Sequence, residues 1–429
     1  MKDTGIKWIG LIPDNWQLKK VKNCFYISKE QANDKNPTVL SLARSGIKVR
    51  DISTNEGQLA ASYENYNPVQ PGDLLLNPMD LYSGANCNMS EVHGVISPAY
   101  VNLRAKTDLN HKFFDYYFKT QYWAMAMFAH GKGVSFDNRW TMNADTILNY
   151  YMPFPQKSVQ TLIANYLNLK NSEIEKMLEV ENKQIEYLKE YKIAVITEAI
   201  TKGVARNKTK PSGIEWIGDI PTNWKIMKFK NFTTLISKGA TPTRMSLVKD
   251  DEFPIRFFKG ENIQDGKLII ETSQFIDANA DEELKRSRLM NDDLLYVIAG
   301  SIGKCAIVEK LDGPANINQA ICFSRLKEEY KAYKFFLRYY LSSNLSIYYA
   351  QMKSVKTSLS NLSMEDLGNM PVAFPPSIQE LHELVKYLDE KIKEIDKLIE
   401  IKKTKAKVLE NYRQSLFFEC VTGKKEVVA

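Results

Sequence analysis

Two stretches of this chain carry apolar residues at the regular spacing of a helix that packs along its whole length. Residues 157–202 and 377–422 contain no glycine or proline. Their apolar residues recur at about every 3.5 positions, the spacing of a coiled-coil seam. We therefore predict two long helices, each on the order of 60 Å at 1.5 Å per residue. The predicted seam positions are Leu167, Ile174, Leu178, Glu181, Ile185, Leu188, Leu388, Ile392, Ile395, Ile399, Lys402 and Leu409.

The segments that precede the two helices have a different pattern. Residues 1–156 and 209–376 are rich in tyrosine, phenylalanine, valine, isoleucine and glycine, with turn signals such as Pro-Gly-Asp at 71–73. Short apolar runs between turns predict short strands with one or two helices. Each segment ends in a proline-rich stretch, at 152–156 and at 370–376. Each half of the chain therefore combines an α/β domain with a long helix.

The openings of the two halves are near copies of one another. Residues 2–23 and 210–231 are identical at 13 of 22 positions, including the motif Trp-Ile-Gly-x-Ile-Pro-x-x-Trp. Repetition over such a long period predicts two domains in tandem rather than a solenoid of short repeats. Two related halves in one chain can fold with internal two-fold symmetry.

The link between the halves predicts how the helices pair. The stretch from Val204 to Pro211 spans at most roughly 25 Å, which is too short to return along a long helix. We therefore predict an antiparallel pair. With two-fold symmetry, Glu181 would face Lys402 in the middle of the seam and fix its register. The alternative is that both side chains lie at the edge of the seam with solvated charges.

Composition and charge leave the function broad. The chain has 429 residues, of which 44% are hydrophobic and 25% charged, as is ordinary for globular domains. It has neither an apolar run of about 18 residues nor a signal peptide, which predicts a protein without a membrane segment. The widely separated cysteines are typical of reduced thiols in a cytoplasm, so we predict a cytoplasmic protein. The net charge of +7 is compatible with a nucleic-acid partner but does not require one. The five cysteines and four histidines show no metal-ligand or disulfide spacing, so we predict no metal site.

No motif for catalysis is complete. Ala299–Lys304 reads AGSIGK and resembles a phosphate-binding loop, but the spacing to the lysine is too short and Cys305 follows it. Asn77–Asp80 reads NPMD, and it lacks the second proline and the aromatic residue of the amino methyltransferase motif. We therefore predict that the chain has no catalytic residues and is not an enzyme by itself.

A second repeated signature makes the resemblance to a known family specific. Pro71-Gly-Asp73-Leu-Leu-Leu corresponds to Asn291-Asp-Asp293-Leu-Leu-Tyr, and a loop of small residues follows each. Together with the Trp-Ile-Gly opening, the GSIGK loop, the proline-rich exit and the long helix, this pattern resembles the specificity subunit of type I restriction–modification systems. The resemblance covers essentially the whole chain.

The resemblance implies an α+β fold in which two α/β target recognition domains lie at opposite ends of a long antiparallel two-helix coiled coil, with internal pseudo-two-fold symmetry. The implied domains are target recognition domain 1 (1–156), a first helical region (157–208), target recognition domain 2 (209–376) and a second helical region (377–429). Each recognition domain would read one half of a bipartite target in double-stranded DNA. An alternative function is a non-enzymatic two-domain scaffold that binds protein or glycan partners.

The resemblance also implies the partners and cofactors. The helices would dock two modification subunits that carry adenine-N6 methyltransferase activity and S-adenosylmethionine. Restriction subunits would add ATP- and Mg-dependent translocation and cleavage. This chain would bind no cofactor itself.

The parts of the two halves that do not repeat are the candidates for reading DNA. Their divergence predicts two different half-sites and hence an asymmetric target. Arginine and lysine read guanine, and asparagine reads adenine, although any one of these residues could equally be a solvated surface residue. The aromatic clusters at 113–123 and 335–340 have helical spacing and are predicted to be core helices instead. The DNA-binding candidates are Arg44, Lys48, Arg50, Lys132, Arg139, Arg244, Lys259, Asn262, Lys304, Lys353 and Lys356.

Overall fold

The chain forms two compact units in a computed structural model. The first unit comprises Met1–Asn182 and Lys403–Ala429, and the second comprises Lys183–Lys402. Each unit therefore combines one α/β domain with parts of both long helices. The described residues are 1–34, 36–52, 60, 62–79, 81, 87–133, 140–205, 208–242, 255–354 and 361–428.

The α/β domain of the first unit contains short strands and two helices before the first long helix. Its main sheet has four strands in the order β4-β11-β8-β9, and smaller pairs are formed by β1 with β2, β3 with β12, β5 with β6, and β7 with β10. The elements are β1 (Lys2–Asp3), β2 (Leu11–Ile12), β3 (Gln17–Lys20), β4 (Phe25–Ile27), β5 (Leu40–Ala43), β6 (Gly46–Val49), β7 (Asn67–Val69), β8 (Leu74–Leu76), β9 (Cys87–Met89), β10 (Gly94–Ile96), β11 (Val101–Ala105), α1 (His111–Trp123), α2 (Ala144–Leu148), β12 (Tyr151–Phe154) and α3 (Lys157–Lys202).

The second unit has a larger sheet. Six strands lie in the order β16-β24-β21-β22-β19-β18, three more in the order β20-β17-β23, and pairs are formed by β13 with β14 and β15 with β25. The elements are β13 (Thr209–Pro211), β14 (Asp219–Pro221), β15 (Lys225–Lys228), β16 (Thr233–Lys238), β17 (Ile255–Phe258), β18 (Ile263–Gln264), β19 (Lys267–Leu268), β20 (Gln274–Ile276), α4 (Ala278–Glu283), β21 (Leu294–Val297), β22 (Cys305–Ile307), β23 (Ala315–Ile317), β24 (Ile321–Leu326), α5 (Lys334–Leu341), α6 (Asn344–Ser354), α7 (Met364–Asn369), β25 (Pro371–Phe374) and α8 (Ile378–Val421).

The aromatic clusters of the sequence form core helices, as predicted. In α1, Asn110 caps the first turn by accepting a hydrogen bond from the Phe113 amide at 3.1 Å. Phe113 in α1 and Phe336 in α5 are fully buried. These two helices provide the apolar faces against which the sheets and the long helices pack.

The two long helices have nearly the predicted bounds. Helix α3 spans Lys157–Lys202 and helix α8 spans Ile378–Val421. The seam positions, Lys402 included, are buried or partly buried, and the apolar ones belong to the cores of the two units. Those that are buried are Leu167, Ile174, Glu181, Ile185, Leu388, Ile395 and Ile399. Leu178, Leu188, Ile392 and Leu409 are partly buried against the same cores.

Ion pairs join α3 to α8 within each unit. In the first unit, Arg413 lies 3.9 Å from Glu175 and Lys405 lies 2.5 Å from Glu181. The α8 numbers fall as the α3 numbers rise, which is the order of antiparallel segments. In the second unit, Lys192 pairs with Asp396 at 2.7 Å. The buried Glu181 therefore takes Lys405 as a partner, three residues beyond Lys402; the coupling of Glu181 to Lys402 itself stays a prediction.

The repeated Trp-Ile-Gly-x-Ile-Pro-x-x-Trp motif packs against the C-terminal end of a long helix in each unit. In the first unit, Gly423 lies so close to Pro13 that an added Cβ would be 2.5 Å from its Cδ. In the second unit, Gly203 packs against Pro221 and Trp224. Both glycines have positive φ angles, +71° and +69°, which L side chains rarely adopt. The last turn of α8 is thus part of the core that contains the opening of the chain.

Three features bear on the class of protein. All five cysteines are free and buried. Among the described residues, no group of His, Cys, Asp and Glu side chains is arranged to hold a metal ion. Within the same residues, no helix combines the length and apolar character needed to cross a membrane.

Candidate nucleic-acid interface

In the first unit, the β5–β6 hairpin carries two of the candidate cations. Leu42 pairs with Ile47 and Ser41 pairs with Lys48 across the hairpin. Because side chains alternate along a strand, Lys48 lies on the face opposite to Leu42 and Ile47, which pack in a small apolar cluster. Arg44 lies in the turn, and both Arg44 and Lys48 are exposed. The apolar face thus anchors a hairpin whose other face and tip are cationic.

Arg50 follows the same hairpin. Its amide donates a hydrogen bond to the Val39 carbonyl at 2.8 Å, which continues the pairing beyond β6. The side chain is half-buried and makes an interaction within the protein. Arg50 therefore extends the cationic hairpin, although it is less accessible than Arg44 and Lys48.

Lys132 lies on a separate segment of the first unit, after α1. Its backbone forms a bridge with Thr141, through hydrogen bonds of 2.8 and 3.0 Å. An added Cβ at the preceding Gly131 would lie 2.4 Å from the Trp140 ring nitrogen, so only glycine fits there. The Trp140 indole in turn donates to the Phe128 carbonyl at 2.8 Å. These contacts fix the backbone of Lys132, and its side chain is exposed.

In the second unit, the loop between β21 and β22 and helix α6 are neighbours. An added Cβ at Gly303 would lie 2.5 Å from the Ile347 side chain in α6. Lys304, next in the loop, is exposed, and so is Lys353 in the last turn of α6. The Lys353 ammonium lies 5.7 Å from the centre of the Tyr349 ring. The packing of Gly303 on Ile347 therefore places these two cations on adjoining elements.

Lys259 and Asn262 stand in a different environment. Asn262 is 1% exposed. Its carboxamide oxygen accepts from the Lys259 amide at 2.7 Å, and its nitrogen donates to the Thr272 hydroxyl at 3.0 Å. The side chain is thus occupied within its own loop, which is the geometry of a residue that stabilises the loop. Lys259 itself is half-buried.

Three further candidates, Arg139, Arg244 and Lys356, lie outside the described residues. Of the candidates that are described, Arg44, Lys48, Lys132, Lys304 and Lys353 combine a positive charge with an exposed side chain. They lie on unlike elements in the two units: a hairpin and the segment after α1 in the first, and a loop beside a helix in the second.

An ion pair between a buried aspartate and a half-buried arginine holds the main sheet in each unit, and none of these four residues is among the candidates predicted from the sequence. In the first unit, Asp73 accepts hydrogen bonds from Nε and Nη2 of Arg104, both at 2.9 Å. In the second, Asp293 accepts from Nε of Arg325 at 2.9 Å and from Nη2 at 3.3 Å. Each aspartate precedes a central strand and each arginine lies on the strand paired with it.

Burial and pairing act in opposite directions on the second of these carboxyl groups. Burial raises the pKa of Asp293, while hydrogen bonds from Arg325 and from the Met290 amide act to lower it. Removing either partner would leave a buried charge without compensation. The second pair therefore holds β21 against β24, and the loop that carries Lys304 extends from β21. A signal was present in the sequence, because an arginine follows each repeated aspartate at a similar distance in the chain.

Part of the chain matches a known family of domains. Residues 221–411 match the model of the type I restriction modification DNA specificity domain. The match covers residues of the second unit and most of the long helix α8, and the resemblance to type I specificity subunits stated from the sequence is confirmed.

Individual relatives extend the similarity beyond the matched residues. The chain is 24% identical over 401 residues to the EcoBI specificity subunit of Escherichia coli, covering 89% of this chain and 79% of that protein. It is 27% identical over 285 residues to the MjaVIII specificity subunit of Methanocaldococcus jannaschii, covering 64% of this chain and 62% of that protein. Less than two thirds of the archaeal protein is thus matched.

A solved structure has the same fold. It comes from work on the complex assembly and conformational transition of the type I R-M system, and it aligns with a TM-score of 0.69. The alignment covers 97% of this chain and 100% of that chain, at 14% sequence identity. At this identity the likeness concerns the fold.

Proposed function

We propose that this chain is the DNA sequence-specificity subunit of a type I restriction–modification complex. The observation that carries the proposal is the DNA specificity domain at residues 221–411, in a chain whose repeated scaffold carries different exposed cations in its two halves. Exposed arginine and lysine side chains can contact phosphates and guanine edges. The comparisons give no support to the alternative function as a protein- or glycan-binding scaffold.

The proposed architecture is an antiparallel two-helix coiled coil with a recognition domain at each end and pseudo-two-fold symmetry. Support comes from contacts that recur at a constant shift. Glu175 pairs with Arg413, and Lys192 pairs with Asp396. Asp396 lies 221 positions after Glu175. Arg413 lies the same 221 positions after Lys192. Equivalent residues therefore make equivalent ion pairs, as two-fold related helices would.

The proposed target is asymmetric. Each recognition domain would read one half-site, and the half-sites differ because the elements that carry the cations differ. A β-hairpin with Arg44 and Lys48 serves the first domain, and the loop with Lys304 beside the helix with Lys353 serves the second. Elements of unlike shape that enter a groove present different side chains to the base edges.

The proposed partners are double-stranded DNA, modification subunits and restriction subunits. In this scheme two modification subunits carry the adenine-N6 methyltransferase activity with S-adenosylmethionine. The restriction subunits carry the ATP- and Mg-dependent activities. This chain supplies the choice of sequence and no catalytic residue.

Mapping N6-methyladenine in cells with and without this gene tests the proposal directly. We expect one asymmetric bipartite motif to lose methylation in the cells that lack the gene. Replacement of Arg44 and Lys48 by alanine should weaken methylation of that motif, and a binding assay of the complex should show a smaller dependence of log affinity on log salt. If the set of methylated sites is the same with and without the gene, the proposed function is wrong.

A further inference from the structure

Helix α6 of the second unit has an exposed face that carries amide and apolar side chains but no charge. The opposite side of the helix is buried through Leu345, Ser346, Tyr349 and Ala350. At 3.6 residues per turn, the exposed residues at the first, fifth, eighth and ninth positions of the helix fall on one side. We call this side the amide face, and it consists of Asn344, Tyr348, Gln351 and Met352.

The two carboxamides of the amide face are not used within the protein. Neither Asn344 nor Gln351 makes a side-chain hydrogen bond to any residue that the structure describes. Asn262 is the contrasting case, because both polar atoms of its carboxamide are occupied within its own loop. A carboxamide offers an acceptor and a donor side by side. This pair complements the N6 donor and N7 acceptor that adenine presents in the major groove.

The core holds α6 in a fixed orientation. The Tyr349 ring packs against Trp216, with ring centres 5.7 Å apart. The Tyr349 hydroxyl donates to the Asp366 carbonyl at 3.0 Å, and the Ser346 hydroxyl lies 2.9 Å from that of Tyr296. These contacts all come from the buried side of the helix. The amide face is therefore presented outward by a rigid element, as selective contact with base edges requires.

The length of the amide face suits a few base pairs. The major groove of B-DNA, about 12 Å wide, admits an α-helix. Asn344 and Gln351 are seven residues apart, which corresponds to about 10 Å along the helix axis. That distance is roughly three base-pair steps of about 3.4 Å. Tyr348, which is 50% exposed, lies between them on the same face.

The charges beside the amide face differ on its two sides. On one side, Ile347 packs on Gly303, and the exposed Lys304 follows Gly303 in the loop. On the other side, Tyr348 and Met352 line a groove together with the exposed Glu215. A phosphate backbone is attracted by Lys304 and repelled by Glu215. The duplex would therefore lie with one backbone on the Lys304 side and its base edges over the amides.

The position of α6 in the chain agrees with a role in reading DNA. The helix lies within residues 221–411, which match the DNA specificity domain. In the first unit, the residues described between α1 and Lys132 contain only the three-residue 3₁₀ helix Phe128–His130. The amide face thus belongs to one recognition domain, as expected of an element that reads one half-site.

We infer that α6 is a recognition helix of the second domain, and that Asn344 and Gln351 each read an adenine in the major groove. The inference rests on the proposed function, and it adds two residues that are not among the candidates predicted from the sequence. Tyr348 and Met352 make apolar contacts with thymine methyl groups beside these adenines. Lys304 binds a phosphate at the edge of the same groove.

The test measures base preference in the complex of the full chain with its modification subunits. Mapping of N6-methyladenine gives the motif, and duplexes with each position replaced in turn compete for binding in a fluorescence anisotropy assay. The variants are Asn344→Ala, Gln351→Ala and the double variant. Gln379→Ala is the matched control, because it removes an exposed carboxamide from α8, where Gln379 bonds only to Glu383 on the same helix.

We expect each single variant to lose its preference for an A·T pair at one position of the motif. A bidentate contact to adenine corresponds to a discrimination of roughly 5- to 150-fold, which should disappear there. Both relaxed positions should lie in the same component of the bipartite motif. The other component should be read unchanged, which shows that the variant chain is folded and assembled. Gln379→Ala should keep every preference.

The phosphate contact has its own signature. Lys304→Ala should weaken binding of all duplexes evenly and reduce the slope of log affinity against log salt by about one, with the motif unchanged. A motif altered by Lys304→Ala would contradict its assignment to a phosphate.

Three results would reject the inference and leave the proposed function intact. The first is an unchanged preference at every position in the double variant. The second is an even loss of affinity for all duplexes in the alanine variants of Asn344 and Gln351, which would indicate contacts with phosphates. The third is loss of modification subunits from these variants in sedimentation velocity, which would show that the amide face binds protein. If the unchanged complex methylates no motif and binds no DNA, the proposed function fails together with the inference.

Discussion

Replacement of Phe417 by alanine should destabilise the first α/β domain, although Phe417 follows helix α1 of that domain by about 300 residues in the chain. Phe417 is 1% exposed, and its ring centre lies 4.6 Å from that of Tyr116 and 5.6 Å from that of Trp123 in α1. Truncation of a buried phenylalanine costs about 3–5 kcal/mol, through lost apolar burial and the cavity that remains. At about 1.4 kcal/mol per factor of ten, opening of this core becomes roughly 100- to 4,000-fold more frequent.

Amide hydrogen exchange followed by mass spectrometry measures this effect in each unit separately. Peptides from α1 (His111–Trp123) should exchange faster by this factor in Phe417→Ala, while peptides from β24 in the second unit should keep their rates. Ile196→Ala is the matched control, because Ile196 is the equivalent buried residue of α3 and belongs to the core of the second unit. In Ile196→Ala, peptides from β24 should exchange faster and peptides from α1 should keep their rates. Equal acceleration in both units, or acceleration confined to α8, would refute the assignment of the last turns of α8 to the first core.

Three further predictions concern the recognition domains. Arg44→Ala and Lys48→Ala should each weaken binding of the target DNA. A side chain that contacts a phosphate should also, when removed, reduce the slope of log affinity against log salt by about one. Fluorescence anisotropy at several salt concentrations measures both the affinity and the slope. Asp73→Asn should lower the free energy of unfolding of the first unit by about 1–3 kcal/mol, because Arg104 loses charge-assisted hydrogen bonds to a buried carboxylate and keeps only the exposed Glu30, at 3.5 Å, as a counterion; urea denaturation measures it, and an unchanged midpoint would contradict it. Asn262→Ala should destabilise its loop by about 1–3 kcal/mol and leave the methylated motif unchanged, whereas a changed motif in methylation mapping would show that it reads a base.

The features that depend on regular spacing were accessible from the sequence. The bounds of α3 and α8 follow from apolar residues at helical spacing and from the absence of glycine and proline. The aromatic helix α1 follows from the same rule. The direction of the helices was predicted from the short stretch between Val204 and Pro211, because chain length limits distance without knowledge of the fold.

The features that depend on contacts between distant residues were not accessible. The pairing of Asp73 with Arg104 requires the register of β8 against β11, which no local pattern specifies. The residue type of Asn262 suggests a base reader, whereas its burial depends on Thr272 and on the loop around it, which the sequence does not specify. The partition of the chain into two units inside the long helices also depends on packing, since the seam pattern continues without interruption.

The position of Leu416 and Phe417 in the first core has a consequence for the synthesis of the protein. About 250 residues separate Leu167 from Leu416, and both are buried in the same cluster. At about 5–20 residues per second, a ribosome needs roughly 10–50 s to add them. During that time the first recognition domain has an incomplete core, whereas the second can close soon after its own residues emerge. A chain that is cut short or cleaved before α8 therefore lacks a finished first domain, and only a chain that includes the last turns of α8 has both cores complete.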